Sequence, residues 1–495
     1  MKISLYLILL VSFVLFSCNK DTGNVFSDKL LYAASGSHPG IYDQSGRYVI
    51  LRGVNYNSLG DYWQGNPNVP AIKEYNPEDI RMMASYGFNC IRLLFSWSKL
   101  EPERGKYNYD YIRQLKNVIE EAAKYDIYIL LDMHQDAWGK YIATPQDVNC
   151  EKPNKGWDGA PQWATITDGA STCTADGSRE SAPAVSHAFQ NFWDNTDNIQ
   201  DACISAWAVL VKETAKYGNV VGYDLLNEPG LGYKPLNEEA RKLSTYYGKC
   251  IRAIRSAERD GRGLEHIIFF EMSITWNGQP VPFIPYPDFT EDKNIIFAPH
   301  TYFEAISYIL TIEQGLDLLR LLSGIYKTGL FIGEWGFFGN PADDVSKVKR
   351  FCKKEDEYLI TGSTWWQWAQ APGDPHGMSW DGTQYANTSM HLIELDVNGN
   401  FTGNKNDYYL KVLSRTRPVA IFGKPFRLES NPDDGTMQLE AKATGTGIST
   451  LWIPDRFGVP AIAGDNILSS KINKVDGGYF AEISVSGTYR ISISF

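Results

Sequence analysis

Two glutamates carry the first chemical possibility in this chain. Glu228 closes the stretch Leu225-Leu226-Asn227-Glu228, one residue after the apolar run Val220-Val221-Gly222-Tyr223, and Glu334 sits in Phe331-Ile332-Gly333-Glu334-Trp335. A carboxylate at the end of a buried strand needs a compensating partner, and taken singly it is more often a salt bridge or a cap than a catalyst. Two carboxylates that face each other, without metal-ligand spacing around them, suit hydrolysis of a glycosidic bond. One protonates the leaving oxygen and the other attacks the anomeric carbon. The first must hold a proton and the second must stay charged, so their surroundings have to differ.

Other polar residues recur at the same kind of position. Short apolar runs alternate with longer helical patterns at Val49 to Asn55, Cys90 to Trp97, Tyr128 to His134, Val220 to Glu228, His266 to Met272, Ile295 to Tyr302, Gly329 to Trp335 and Ile360 to Trp368. Eight such units predict a (β/α)8 barrel of the TIM type over residues 29–415, with function at the C-terminal ends of its strands. The runs carry Arg92, Asp132 with His134, Asn227 with Glu228, His300 with Tyr302, Glu334, and Trp366 with Trp368. The strand period of two puts Asp132 and His134 on one face, and likewise His300 with Tyr302 and Trp366 with Trp368. Glu228 on strand four and Glu334 on strand seven then lie across the barrel mouth. Arg92 and Tyr302 can hold Glu334 charged, His300 can reach Glu228, Asn227 can orient a sugar hydroxyl, and the tryptophans can floor a sugar. Glu271, ending the fifth run, is a third carboxylate equally open to a structural reading. The Gly-, Pro-, Asp- and Thr-rich stretch Asp136 to Ile199 reads as an elaborated loop over the active face. Beyond about residue 415, short alternating segments between Gly, Asn and Asp turns predict a small antiparallel β-sandwich over 416–495.

The net charge of −11 and the lack of a basic stripe exclude electrostatic binding of nucleic acid. The N-terminus reads as a processing signal. Lys2 precedes an apolar run from Ile3 to Phe16, too short to span a bilayer, and Leu15-Phe16-Ser17-Cys18 has the form of a bacterial lipobox. Residues 1–17 are therefore expected to be removed and Cys18 to be lipidated, with 18–28 as a polar tether. That places the protein in the bacterial cell envelope as an outer-membrane lipoprotein, periplasmic or surface-exposed, and as a monomer. Export permits disulfides, and Cys150 with Cys173, in one loop, are the expected pair, while Cys90 reads as a buried thiol. Neither a C-x-x-C pair nor a histidine cluster is present, so no metal or organic cofactor is expected.

The set Arg92, His134, Asn227-Glu228-Pro229, His300, Tyr302, Glu334 and Trp366 resembles the signature of glycoside hydrolase family five of clan A. The resemblance implies retention of anomeric configuration, with Glu228 as acid/base and Glu334 as nucleophile. Three further stretches are similar to the endoglycoceramidase branch: Leu131-Asp132-Met133-His134-Gln135-Asp136, Asp158-Gly159-Ala160-Pro161-Gln162-Trp163-Ala164 and Leu51-Arg52-Gly53-Val54-Asn55. That branch releases intact glycans from ceramide and carries a C-terminal β-sandwich. The resemblance therefore implies a glycosphingolipid substrate, cut between glucose and ceramide. An endo-β-1,4-glucanase or a β-glucosidase acting on lipid-free glucosides is the alternative, and a non-catalytic surface glycan-binding lipoprotein a more distant one. Lys140 to Thr174 departs from the pattern and is expected on the glycone side. The apolar stretch Phe303 to Tyr326 reads equally as a ceramide seat or as an ordinary barrel helix.

Overall fold

A computed structural model describes residues 25–174, 178–277, 284–377 and 390–495. Residues 1–24, which hold the expected leader, Cys18 and most of the expected tether, lie outside the described residues. The eight expected runs supply eight parallel strands: β1 Leu51–Tyr56, β2 Cys90–Ser96, β3 Tyr128–His134, β4 Val220–Asp224, β5 Ile267–Phe270, β6 Ile295–Phe297, β7 Phe331–Trp335 and β8 Gly362–Trp365. They are hydrogen-bonded in the order β7-β8-β1-β2-β3-β4-β5-β6. Parallel bridges Phe297 to Leu330 and Thr301 to Trp335 join β6 to β7 and close the ring. Burial on both faces explains why these strands read as unbroken apolar runs.

Helices Tyr109–Ala123, Ile199–Thr214, Leu236–Asp260, Ile312–Tyr326 and Pro341–Glu357 surround the barrel. Ile312–Tyr326 buries Leu316, Leu319 and Leu322, the ordinary role of a barrel helix. The loop before it exposes Ile306, Tyr308 and Ile309, and the outer face of the helix exposes Leu321 and Ile325.

The C-terminal strands form one continuous antiparallel sheet dominated by Met437–Pro454, Ala461–Val475 and Gly478–Ser494. A register shift between Lys442 and Thr446 divides the longest pairing. Leu439 and Ala441 before it, and Leu451 and Ile453 after it, share one core cluster, as the two halves of a sandwich do. This sheet also recruits the N-terminal strands Leu31–Ala34, Gly40–Asp43 and Tyr48–Val49, the last pairing with Ala420 and Ile421. Leu31 and Ile41 pack with Leu51, Cys90, Phe269 and Phe331 of the barrel strands. Residues 31–49, expected within the barrel unit, thus belong by hydrogen bonding to the second domain. Val25, assigned to the tether, is docked instead: its amide donates to the Lys216 carbonyl at 2.7 Å and its carbonyl accepts from Gly218.

Cys150 and Cys173 are joined in a disulfide that staples the loop over the barrel mouth, while Cys90, Cys203, Cys250 and Cys352 are buried thiols. Among the described residues, no helix is long and apolar enough to cross a membrane.

Candidate active site

The site grows outward from Arg92 on β2, which is fully buried at the bottom of the mouth. Its Nε donates to Asp224 at 2.9 Å, Nη1 to Asn55 at 3.0 Å and Glu334 at 2.8 Å, and Nη2 to Asn227 at 2.9 Å and Glu271 at 3.1 Å. Asp132 lies 3.0 Å from Nη2. A guanidinium presents its N–H groups in a fixed planar fork, so this one residue sets the positions of six side chains from five strand ends. Burial alone would push the Arg92 guanidinium down, but Asp132, Asp224, Glu334 and Glu271 outweigh it and hold it well above the usual arginine range.

Glu334 on β7 receives Arg92 on Oε1 and the Tyr302 hydroxyl on Oε2 at 2.7 Å. Arg92 and Tyr302 are the two partners that the sequence placed beside Glu334. Glu228 lies beyond the end of β4, in the left-handed region at φ 39°. Such a backbone is costly for a residue with a side chain, by about 1–3 kcal/mol, and needs surroundings that over-determine it. Gln135 Nε2 donates to the Glu228 carbonyl at 2.8 Å, the Glu228 amide donates to Glu271 Oε2 at 3.0 Å, and the side chain meets His300 Nδ1 at 3.0 Å. His300 in turn lies over Gly333, where a Cβ would come 2.8 Å from its Nε2, so β7 must carry glycine at that point. One carboxylate oxygen of Glu228 and one of Glu334 lie within 4.8 Å of each other. That is the close approach of a pair flanking a single bond.

Asp132 and His134 share a face and touch at 2.8 Å, with His134 Nε2 a further 3.3 Å from Asp136. Burial opposes protonation of His134, but Asp132 and Asp136 hold it well above the ordinary histidine range. Asp132 therefore stands behind His134 and Arg92, whereas Asn227 keeps amide capacity after bonding Arg92 and the Gln135 carbonyl. Trp366 stacks on His134, with ring centroids 5.6 Å apart, and packs with Tyr302 and Leu94. Trp368, expected on the same face, is instead wholly buried in the main hydrophobic core. The last paired residue of β8 is Trp365, and past the strand the alternation of sides no longer applies.

Several neighbours were not among the expected site residues. Asp224 and Glu271 complete the shell around Arg92. On the other side of the mouth, Arg179 lies 3.1 Å from the Trp157 ring centroid and 2.7 Å from Glu180, and His376 packs between Trp157 and Trp366. Burial pushes the Glu180 carboxyl up to about 7 against the pull of Arg179. Asp224 was open to detection as a lone acid ending an apolar run. Arg179, Glu180 and His376 come from the single 3-10 turns Arg179–Ser181 and Pro375–Gly377, too short for a period to mark them.

Residues 42–372 match the family described as Cellulase (glycosyl hydrolase family 5). An endoglycoceramidase of Cyanea nozakii is 26% identical over 80% of this chain and 78% of its own. A crystal structure described as endogalactoceramidase aligns with a TM-score of 0.83 and 33% identity over 94% of this chain and 100% of that one. Endo-glycoceramidase II from Rhodococcus sp., solved as a ganglioside GM3 complex, shares the fold at a TM-score of 0.70 and 20% identity, over 92% and 99% of the two chains. With two thirds of its length inside the family match and its two glutamates in close approach at the barrel mouth, the chain belongs to glycosyl hydrolase family 5.

Proposed function

We propose that the protein is a retaining endo-β-glycosidase that cuts the bond between glycan and ceramide in glycosphingolipids. The observation that carries this reading is the close approach of Glu228 and Glu334 at the mouth of the barrel. Glu334, held by Arg92 and Tyr302, attacks the anomeric carbon while Glu228 gives its proton to the departing ceramide oxygen. The bond to ceramide breaks as the ester to Glu334 forms. Glu228, now a carboxylate, takes a proton from water, the water oxygen attacks the same carbon, and Glu334 leaves. Asn227 faces the sugar's 2-hydroxyl, His134 and Asp136 line its far side, and Trp366 lies under it. The exposed loop of Ile306, Tyr308 and Ile309, following Tyr302, gives the leaving side an apolar edge suited to a lipid.

The names of the relatives support the lipid-linked substrate, and the one aligned at 33% identity supports a galactose-linked ceramide beside the glucose-linked one. A panel of glucosylceramide, galactosylceramide, lactosylceramide, ganglioside and soluble β-glucan separates these readings. The expected result is release of intact glycan from at least one lipid substrate, none from β-glucan, and a β-anomer as first product by NMR. Turnover of β-glucan alone, or an α-anomer first, overturns the proposal.

The lipobox form of Leu15-Phe16-Ser17-Cys18 supports a second part of the reading: anchoring in the envelope through acylated Cys18. Cys18→Ser is expected to move the protein from the membrane fraction to the soluble one and to abolish palmitate labelling. Unchanged membrane retention rejects the anchor.

A further inference from the structure

Glu271 follows β5 and is completely buried. Its plain explanation is a counter-charge for Arg92, but Arg92 already has Asp132, Asp224 and Glu334. What distinguishes Glu271 is its geometry towards Glu228. Oε2 accepts the Glu228 backbone N–H at 3.0 Å, and Oε1 lies 3.1 Å from His300 Nε2, whose other nitrogen meets the Glu228 carboxyl at 3.0 Å. Glu271 thus holds the Glu228 backbone by a hydrogen bond, and the imidazole stands between the two carboxyl groups, in ion-pair contact with Glu271 and hydrogen-bonded to Glu228. Glu271 is itself fixed from outside the mouth: Tyr247, on the helix Leu236–Asp260, has its hydroxyl 3.3 Å from the Glu271 amide and 3.1 Å from its carbonyl.

We propose that Glu271 is the positioning residue of the acid/base group: it pins Glu228 in its left-handed backbone and, through His300, fixes the carboxyl that protonates the leaving oxygen. This rests on the reading of Glu228 as the acid. Two physical arguments support it. A backbone at φ 39° relaxes when its restraints are removed, and Glu271 supplies one of those on the Glu228 backbone. The carboxyl also belongs to a proton-bearing network. Burial pushes Glu271 up to about 8 against His300, with Asp224 raising it further and Arg92 opposing. Burial alone would depress His300, yet Glu271, Glu334 and Glu228 hold it well above the ordinary histidine range.

The test uses leaving groups, because acid assistance matters most when the departing oxygen is a poor leaving group. For Glu271→Gln, kcat/KM on an alkyl lactoside is expected to fall about 30-fold, and on 2,4-dinitrophenyl lactoside by no more than about 3-fold. Tyr247→Phe, a milder change that keeps the burial, is expected to show the same preference at about 5-fold and carries the test if Glu271→Gln does not fold. Equal losses on both substrates mean a purely structural role and overturn the inference, as does no loss on either. Glu228→Gln is the control: if that variant fails to discriminate between the two leaving groups, it is the assignment of Glu228 that falls. If it discriminates and neither Glu271→Gln nor Tyr247→Phe does, only the positioning role falls.

Discussion

Glu334→Gln is expected to leave a folded protein whose turnover is lower by about 10⁴-fold or more, the largest kinetic effect of any single substitution in this site. The amide fills the same volume and can still accept from Tyr302, but it cannot form the ester on which a double displacement depends. Glu228→Gln acts on a different part of the reaction. Its loss should be about 10²–10⁴-fold on a lipid substrate, whose alkoxide leaves badly without a proton, and far smaller in the first step on a dinitrophenyl glycoside. The two variants are therefore separable by substrate as well as by magnitude. A 2-deoxy-2-fluoro glycoside should label the peptide containing Glu334 in the wild type, read by mass spectrometry, and label nothing there in Glu334→Gln. Wild-type-like turnover in Glu334→Gln, or labelling of another carboxylate, would falsify the assignment of the nucleophile.

The barrel and its two glutamates were legible because parallel strands covered on both faces leave continuous apolar runs, and a charge ending such a run is conspicuous. Arg92 was visible for the same reason. What periodicity could not show is where each strand stops. β4 ends at Asp224, so Asn227 and Glu228 project from a turn with its own backbone geometry, and the face of Glu228 could not be counted from the strand. β8 ends at Trp365, and counting by twos beyond it put Trp368 beside Trp366 when it lies in the core. Nonlocal pairing was equally hidden: Tyr48 and Val49 find their partners in Ile421 and Ala420, almost four hundred residues away, and no local pattern predicts that choice. Glu271 was ambiguous because a strand-end acid has the same local signature whether it balances a charge or holds a catalyst. Only its distances to Glu228 and His300 separate the two.

Arg92→Met is expected to cost more stability than any other change at the mouth. Methionine matches much of the arginine stem but leaves Asp132, Asp224, Glu271 and Glu334 facing one another in a space with almost no solvent access. Removing one partner of a buried ion pair typically costs about 3–5 kcal/mol, and here one cation faces four carboxyl groups, so about 5 kcal/mol is the expectation at neutral pH. The variant has one cheap response, which is to take up protons. Its carboxyls would then titrate higher in the folded chain than in the unfolded one. A group raised in this way gives stability that is complete below its unfolded value, near 4, and is lost as pH rises through its folded value. The difference in melting temperature between wild type and Arg92→Met should accordingly be smallest near pH 4 and grow to about 5 °C or more at pH 8. Arg92→Lys should fall between them, because it keeps the charge but offers three donors from a single point in place of the guanidinium fork. Thermal melts of the three proteins across this pH range check the expectation, and a melting difference that does not vary with pH would mean that the four carboxylates do not depend on Arg92 for their charge.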